Sequence, residues 1–239
     1  MESPQSHTPF EPFAILTPRL LLLPTPIAVS LATYRAHYAG LHADKSFCQM
    51  AFGDHFPARN WSDDETRAVI ETRDIERSWK RRGLGDFAVG LRASCDRDEY
   101  TTEGTSRCLV LKGDEFQSLA GQNSQLLREI KWVGYAGVRD ATTTSLPDRE
   151  EGDTPLPPWQ EMVELRYGIS PAFWGGGIAK EASEAVIQWA VNERGVKRFI
   201  GETERHNQRS ARLLQKLGFV TSGTNYWKEP SELEWELVI

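Results

Sequence analysis

Cysteine is scarce in this chain: Cys48, Cys95 and Cys108 are the only three in 239 residues. An odd number without CxxC spacing excludes a disulfide framework and a thiolate zinc site, so ordinary thiols and no metal centre are expected. Long apolar runs are missing too, and no stretch reaches the length of a membrane span. The opening residues, Met-Glu-Ser-Pro-Gln-Ser-His, lack the basic and apolar regions of a secretory signal. A cytoplasmic location is the expectation, with the nucleus also open. Nor is there an excess of positive charge. The formal net charge of −6 speaks against direct nucleic-acid binding through phosphates and accommodates cationic partners. Two nucleotide signatures are absent as well. No Gly-x-x-x-x-Gly-Lys-Ser/Thr occurs, and a dinucleotide fingerprint would need glycine or alanine where Lys180 stands.

What is present suffices for a sizeable core, with 39% apolar and 10% aromatic residues. We expect a mobile segment over 1–14 and one domain over 15–239, with polar insertions near 93–129 and 140–160. Strands are expected at 15–23, 86–91, 131–138, 161–169, 197–201, 219–222 and 233–238. Helical spacing marks 27–41, a segment from Ser62 to about Arg82, 178–192 and 207–217, with a short helix near 116–128 inside the first insertion. Ser62 followed by Glu65 reads as a capping box, and Gly195 as a C-terminal cap. Alternating strands and helices indicate a mixed α/β layer architecture.

The densest signal is Trp174-Gly175-Gly176-Gly177-Ile178-Ala179-Lys180-Glu181-Ala182. Three glycines run from a strand-like segment into an amphipathic helix. Without side chains they can turn their amides toward an anion at the helix N-terminus. Taken alone, they are equally compatible with a tight turn.

With its flanks, this segment resembles the acyl-CoA pyrophosphate loop of the GNAT N-acetyltransferases, Gln/Arg-x-x-Gly-x-Gly/Ala, and particularly their RimJ/RimL-like branch. Gly177 and Ala179 fill the small positions; Trp174 replaces the polar first residue, as in that branch. Asn207 to Phe219 is similar to the family's Asn-x-x-Ser-x-x-x-Leu-x-Lys-Leu-Gly-Phe stretch. Weaker echoes are Leu16 to Leu20, Val133-Gly134 and Glu164 to Tyr167.

The resemblance implies a GNAT fold: a mixed, mostly antiparallel sheet of about seven strands with helices on both faces. It also implies acetyl-CoA as co-substrate and an amine as acceptor. Tyr167, Gly168, Ile169, Trp174, Gly175, Gly176, Gly177, Ile178, Ala179, Asn207 and Ser210 are the implied CoA-side residues. One of Arg205, Arg209, Arg212 and Lys216 is expected at its phosphates. Backbone amides around Tyr167 to Ile169 would polarise the acetyl carbonyl if this strand splays from the next.

Transfer from a thioester to an amine needs positioning more than a nucleophile. Glu164 is the candidate general base, provided its pKa is raised, with Glu161 in reserve. The family's tyrosine acid corresponds to Leu214, which cannot donate a proton; Ser210 or Tyr167 would have to substitute. The expected activity is direct acetyl transfer to a primary amine. The alternatives are a GNAT-like CoA-binding module without turnover, and a protein preferring ATP or NAD. The acidic stretch 148–153 and Trp61, Trp79, Trp132 and Trp159 are candidates for the acceptor side, with loop and core packing as their competing reading. Oligomeric state is not legible.

Overall fold

The computed structural model describes residues 10–53, 56–92, 108–121, 127 and 129–239. The expected mobile start lies outside these up to residue 9, as does the first insertion over 93–107. The first strand, however, begins at Phe13, inside the segment expected to be mobile.

Among the described residues, nine strands form one sheet in the order β4-β1-β2-β3-β5-β6-β7-β9-β8. They are β1 (Phe13–Leu16), β2 (Leu20–Pro24), β3 (Asp86–Leu91), β4 (Leu109–Lys112), β5 (Lys131–Asp140), β6 (Val163–Ile169), β7 (Arg198–Glu204), β8 (Val220–Thr221) and β9 (Glu232–Val238). Two of them account for the difference from about seven. The single strand expected at 15–23 is a hairpin, because Pro18 cannot donate to a ladder and Thr17 closes a turn: its amide reaches the Leu20 carbonyl at 2.9 Å and its hydroxyl takes the Leu20 amide at 2.9 Å. The first insertion contributes β4, which extends the sheet beside β1, and its helix lies at Gly113–Gly121.

Helices cover both faces. On one face α1 (Thr25–Ala28) and α2 (Ala32–Ala43) set Tyr34 on Leu21, Leu23 and Ala88. On the other, α8 (Ile178–Arg194) lays Ala182, Val186 and Trp189 over Phe87, Val133 and Val163. Between these two helices in chain order come α3 (Lys45–Phe52), α4 (Asp63–Ile70), α5 (Lys80–Arg82), α6 (Gly113–Gly121) and α7 (Ala141–Thr144); α9 (Gln208–Lys216) follows α8. The Ser62–Glu65 capping box is present at the start of α4. That helix then widens into a π-helical stretch, Glu71–Trp79, which ends through α5 at Gly83 with φ 62°. The widening places Asp74 beneath the sheet, where its carboxylate takes the Asp86 amide at 3.0 Å and the Thr25 hydroxyl.

All neighbouring strands are antiparallel except β6 and β7. Those two meet in parallel only at Val163↔Phe199 and Glu164↔Ile200. Beyond these pairs β6 stays with β5 as far as Ile169↔Gly134, while β7 stays with β9 as far as Glu204↔Glu232. The sheet therefore opens into a wedge, and the peptide groups of Leu165 to Ile169 on that side have no ladder partner on β7.

Candidate active site

The wedge gives onto a cavity of about 1640 Å³ that reaches both faces of the sheet. On the α8 side it is lined by the glycine loop. Gly175 and Gly177 have φ of 81° and 77°, a region that L side chains seldom enter, whereas Gly176 has no such requirement. Gly177 is the N-cap of α8 and no side chain caps the helix. The first bond closing the helix is Glu181 N–H to Gly177 O, at 3.1 Å. The amides of Ile178, Ala179 and Lys180 therefore precede the intrahelical ladder, and all three residues line the cavity.

The loop is held from two sides. Glu181 takes the Thr17 hydroxyl at 2.6 Å, the Arg19 amide at 2.9 Å and the Arg19 Nε at 2.6 Å, while Arg19 Nη1 donates to the Gly176 carbonyl at 2.9 Å. The hairpin turn that broke the expected first strand is thus a clamp on the loop. On the other side Trp174 donates its indole N–H to the Ile169 carbonyl at 2.7 Å, and the Arg209 guanidinium stacks 4.7 Å from its ring centroid. The residue that departs from the general loop pattern ties together β6, the loop and α9.

Asn207 is almost fully buried and its side chain is already engaged. Its oxygen caps α9 by accepting the Ser210 amide at 3.1 Å, and its nitrogen donates to the Met50 carbonyl on α3 at 2.7 Å. Burial pushes the Tyr167 phenol up to about 12, with the neighbouring Ser210 side chain acting in the opposite direction. A phenol from β6 thereby reaches α9, where Leu214 itself is core. Arg209, Arg212 and Lys216 line the cavity beside the loop. Arg205 points elsewhere and donates to the Pro230 carbonyl at 2.9 Å.

Glu164 lies on the opposite face of β6 and lines the same cavity. Arg139 grips its carboxylate with Nε at 3.0 Å and Nη2 at 3.3 Å, and Ser145 donates a further hydrogen bond. Burial pushes the pKa up, but the charges of Arg139 and Arg166 and these hydrogen bonds outweigh it, and the net direction is down. The condition attached to Glu164 as base, a raised pKa, is the reverse of what its neighbours impose. Glu161, the reserve, sits in the turn before β6 and is not among the cavity-lining residues.

Sequence reasoning passed over another carboxyl group. Glu202 lies on β7, one residue past the point where that strand was expected to end, and lines the cavity. Burial first, and then the nearby charges of Glu164 and Glu232, raise its pKa to about 9. The alternation Ile200, Glu202, Glu204 is the signal that would have placed it on the face of Glu164.

The far half of the cavity is aromatic. His42 stacks on Phe52 at 5.8 Å and meets Trp61 at 5.0 Å; Tyr38 stacks on Trp61 at 6.2 Å. Burial first, and then the Arg166 and Arg73 charges, bring His42 down to about 4, so its imidazole is neutral at pH 7. Gly168 is required here for space: a Cβ would stand 2.6 Å from the Tyr135 ring and 2.8 Å from Phe47. Of the four tryptophans considered for the acceptor side, only Trp61 lines the cavity. Trp79 and Trp132 are core, and Trp159 lies under Arg82 with 5.0 Å between guanidinium carbon and ring. The acidic stretch is a surface loop in which Glu150 and Asp153 bind Lys228 at 3.2 and 2.9 Å.

Comparisons with known proteins place this geometry. The family model for an acetyltransferase (GNAT) domain matches residues 30–220, most of the chain. An FsC-acetyl coenzyme A-N(2)-transacetylase of Aspergillus fumigatus is 30% identical over 87 residues, 36% of this chain and 37% of that protein. An uncharacterized N-acetyltransferase of Schizosaccharomyces pombe is 36% identical over 64 residues, 27% of this chain and 34% of that protein. The matches thus span little more than a third of these relatives' length. Among solved structures, an acetyltransferase from Agrobacterium tumefaciens superposes with a TM-score of 0.56 at 18% identity, covering 100% of this chain and 99% of that one. A GNAT-family acetyltransferase from Bacillus anthracis superposes at 0.50 and 15% identity, covering 94% and 98%. At these identities the two structures speak for the fold alone.

Proposed function

The chain belongs to the GNAT acetyltransferase family, and from that premise we propose that it binds acetyl-CoA in the wedge and transfers the acetyl group directly to the nitrogen of a primary amine. One observation carries the reading. An α-helix N-terminus without a side-chain cap, preceded by two positive-φ glycines, opens on a cavity that passes between two splayed strands. Amides at such a terminus suit a pyrophosphate, and the unpaired edge of β6 suits the amide-rich pantetheine arm that follows it. Arg209, Arg212 and Lys216 are the cations available to its phosphates.

In this reading Gly175 to Ala179 hold the pyrophosphate, and Tyr167 to Ile169 lie along the pantetheine and thioester. Trp174 acts by orienting the loop, and Asn207 by fixing α9 to α3. The thiolate leaves beside the Tyr167–Ser210 hydroxyl pair, which replaces the tyrosine missing at Leu214. The acceptor amine enters from the aromatic half. The RimJ/RimL-like placement rests on Trp174 and the Asn207 to Phe219 stretch. A nitrogen acceptor is supported by the N(2)-transacetylase name of the Aspergillus relative.

Calorimetry with acetyl-CoA, ATP and NAD, followed by thiol release with a panel of primary amines, tests the proposal. Acetyl-CoA should bind in preference to the nucleotides, and at least one amine should release CoA faster than water does. The second reading, a CoA-binding module without turnover, is favoured by the apolar Leu214. It would be upheld by tight acetyl-CoA binding with no amine-dependent thiol release.

A further inference from the structure

The turn between β1 and β2 ends against the back of the glycine loop, and the way it is bonded there sets the direction of one peptide. Glu181 takes the Thr17 hydroxyl at 2.6 Å, the Arg19 amide at 2.9 Å and the Arg19 Nε at 2.6 Å, so both backbone and side chain of Arg19 are pinned. Arg19 Nη1 is left for the Gly176 carbonyl, at 2.9 Å. Gly175, Gly177, Ile178, Ala179 and Lys180 line the cavity, whereas Gly176 and Arg19 are not among its lining residues. The Gly176 carbonyl is therefore drawn to the side away from the cavity. In a trans peptide the C=O and the N–H that follows it point in opposite directions, so the Gly177 amide is turned away from Arg19. The Gly176 amide is spent on the Phe173 carbonyl at 3.4 Å, while among the described residues the amides of Gly175 and Gly177 have no backbone acceptor. Three glycines in a row would otherwise sample many peptide directions. A carbonyl swung toward the cavity would set its partial negative charge against a phosphate and remove the Gly177 donor at the same time.

We infer that Arg19, held by Glu181, is a positioning residue that turns the Gly176–Gly177 peptide so that its N–H, and not its carbonyl, is offered to the pyrophosphate of the acyl donor; the inference rests on the acetyl-CoA reading above. Arg19 itself stays behind the loop. Its charge is compensated by Glu181 at 2.6 Å and its side chain is 39% exposed, so its net field at the cavity is small and its effect is one of direction. A guanidinium suits this task because its planar fork sends Nε and Nη1 to two different partners, whereas a lysine ammonium is a single point. The two residues that fix the peptide come from the β1–β2 turn and from the first turn of α8, so the donor site is assembled from both ends of the chain.

A role confined to the pyrophosphate can be separated from general support of the fold by cutting the ligand as well as the protein. Full-length wild type, Arg19→Ala and Arg19→Lys are compared with acetyl-CoA and acetyl-dephospho-CoA by calorimetry, and with S-acetylpantetheine, which lacks the pyrophosphate, by ligand-observed NMR titration. Both pyrophosphate-bearing thioesters should bind the two variants about 10- to 100-fold more weakly than wild type, the range for a lost hydrogen bond from a charged donor. S-acetylpantetheine should bind all three chains within about twofold of one another. Arg19→Lys keeps the charge and the backbone bond to Glu181, and it carries the comparison if Arg19→Ala does not fold. The inference is overturned if Arg19→Lys binds acetyl-CoA as wild type does, because charge would then suffice. It is equally overturned if S-acetylpantetheine weakens by the same factor as acetyl-CoA, because Arg19 would then support the whole site. A wild-type chain that does not bind acetyl-CoA at all would overturn the acetyl-CoA reading itself, an outcome seen before any variant is made.

Discussion

Two glutamates on one face of the sheet show how neighbours decide a side chain's chemistry. Glu164 is surrounded by arginines and a hydroxyl that stabilise its charge; Glu202 is buried near the carboxylates of Glu164 and Glu232, which disfavour its charge. Sequence alone made Glu164 visible through its strand motif but could not supply Arg139, 25 positions earlier, whose guanidinium reverses the required pKa direction. Glu202 predicts a pH effect on stability. Its pKa is higher in the folded chain than the 4.5 of an unperturbed glutamate, so the folded state favours the protonated form. That contribution is complete below about 4.5 and is lost as pH rises toward 9. Glutamine cannot ionise, so Glu202→Gln should gain stability relative to wild type between pH 5 and 9, read from urea midpoints at both pH values. A constant difference across that range would contradict the assignment. Trp174 offers a second test at this scale. Trp174→Phe keeps a ring under Arg209 but deletes the indole bond to Ile169, worth about 0.5–1.5 kcal/mol. Acetyl-CoA binding by calorimetry should weaken about 2- to 10-fold.

At the scale of elements, the loop and its helix were the most legible part. Glycine, helix period and a terminal glycine all agreed on one answer, and α8 runs from Ile178 to Arg194 with Gly195 as its C-cap. Less legible were features that depend on partners remote in sequence. Leu20 to Leu23 is apolar throughout, and Thr17-Pro18-Arg19 reads equally as the entry to one strand; the bonds between Thr17 and Leu20 make it the turn of a hairpin. The wedge was expected only by resemblance, because where β6 and β7 part depends on their outer neighbours, β5 and β9. The π-helical stretch carries no periodicity signal that sets it apart from the helix it continues. The loop's geometry gives its own prediction. Gly177→Ala must hold a non-glycine residue at φ 77°, at a cost of about 1–2 kcal/mol. Arg19 Nη2, 3.4 Å from the new Cβ, is the end of a flexible side chain and can move. The thermal midpoint should fall by about 2–4 °C per kcal/mol for a domain of this size. Acetyl-CoA affinity should fall further in this variant than in Gly176→Ala, whose backbone is unstrained.

For the whole molecule, the consequence of the wedge is that binding and rigidity are linked. β1 to β6 and α8 form one flank of the cavity, while β7, β9 and α9 form the other, and the ladder joining them has two residue pairs. A ligand that touches the loop on one flank and α9 on the other adds contacts across that short ladder. If acetyl-CoA binds only the folded state, its stabilisation is set by mass action, about 2.7 kcal/mol at a free concentration 100 times Kd. Converted at about 2–4 °C per kcal/mol, that is a rise of roughly 5–10 °C in thermal midpoint. Hydrogen exchange should show where the stabilisation resides. Amides of Leu165 to Ile169 and of Gly175 to Lys180 should gain protection with acetyl-CoA, those of α9 should follow, and the β1–β2 ladder should change little, apart from the Thr17–Arg19 clamp. Protection spread evenly over all nine strands would mean that the ligand stabilises the fold globally without closing the wedge. No protection at the loop, with a rise in thermal midpoint intact, would put the CoA site somewhere other than the N-terminus of α8.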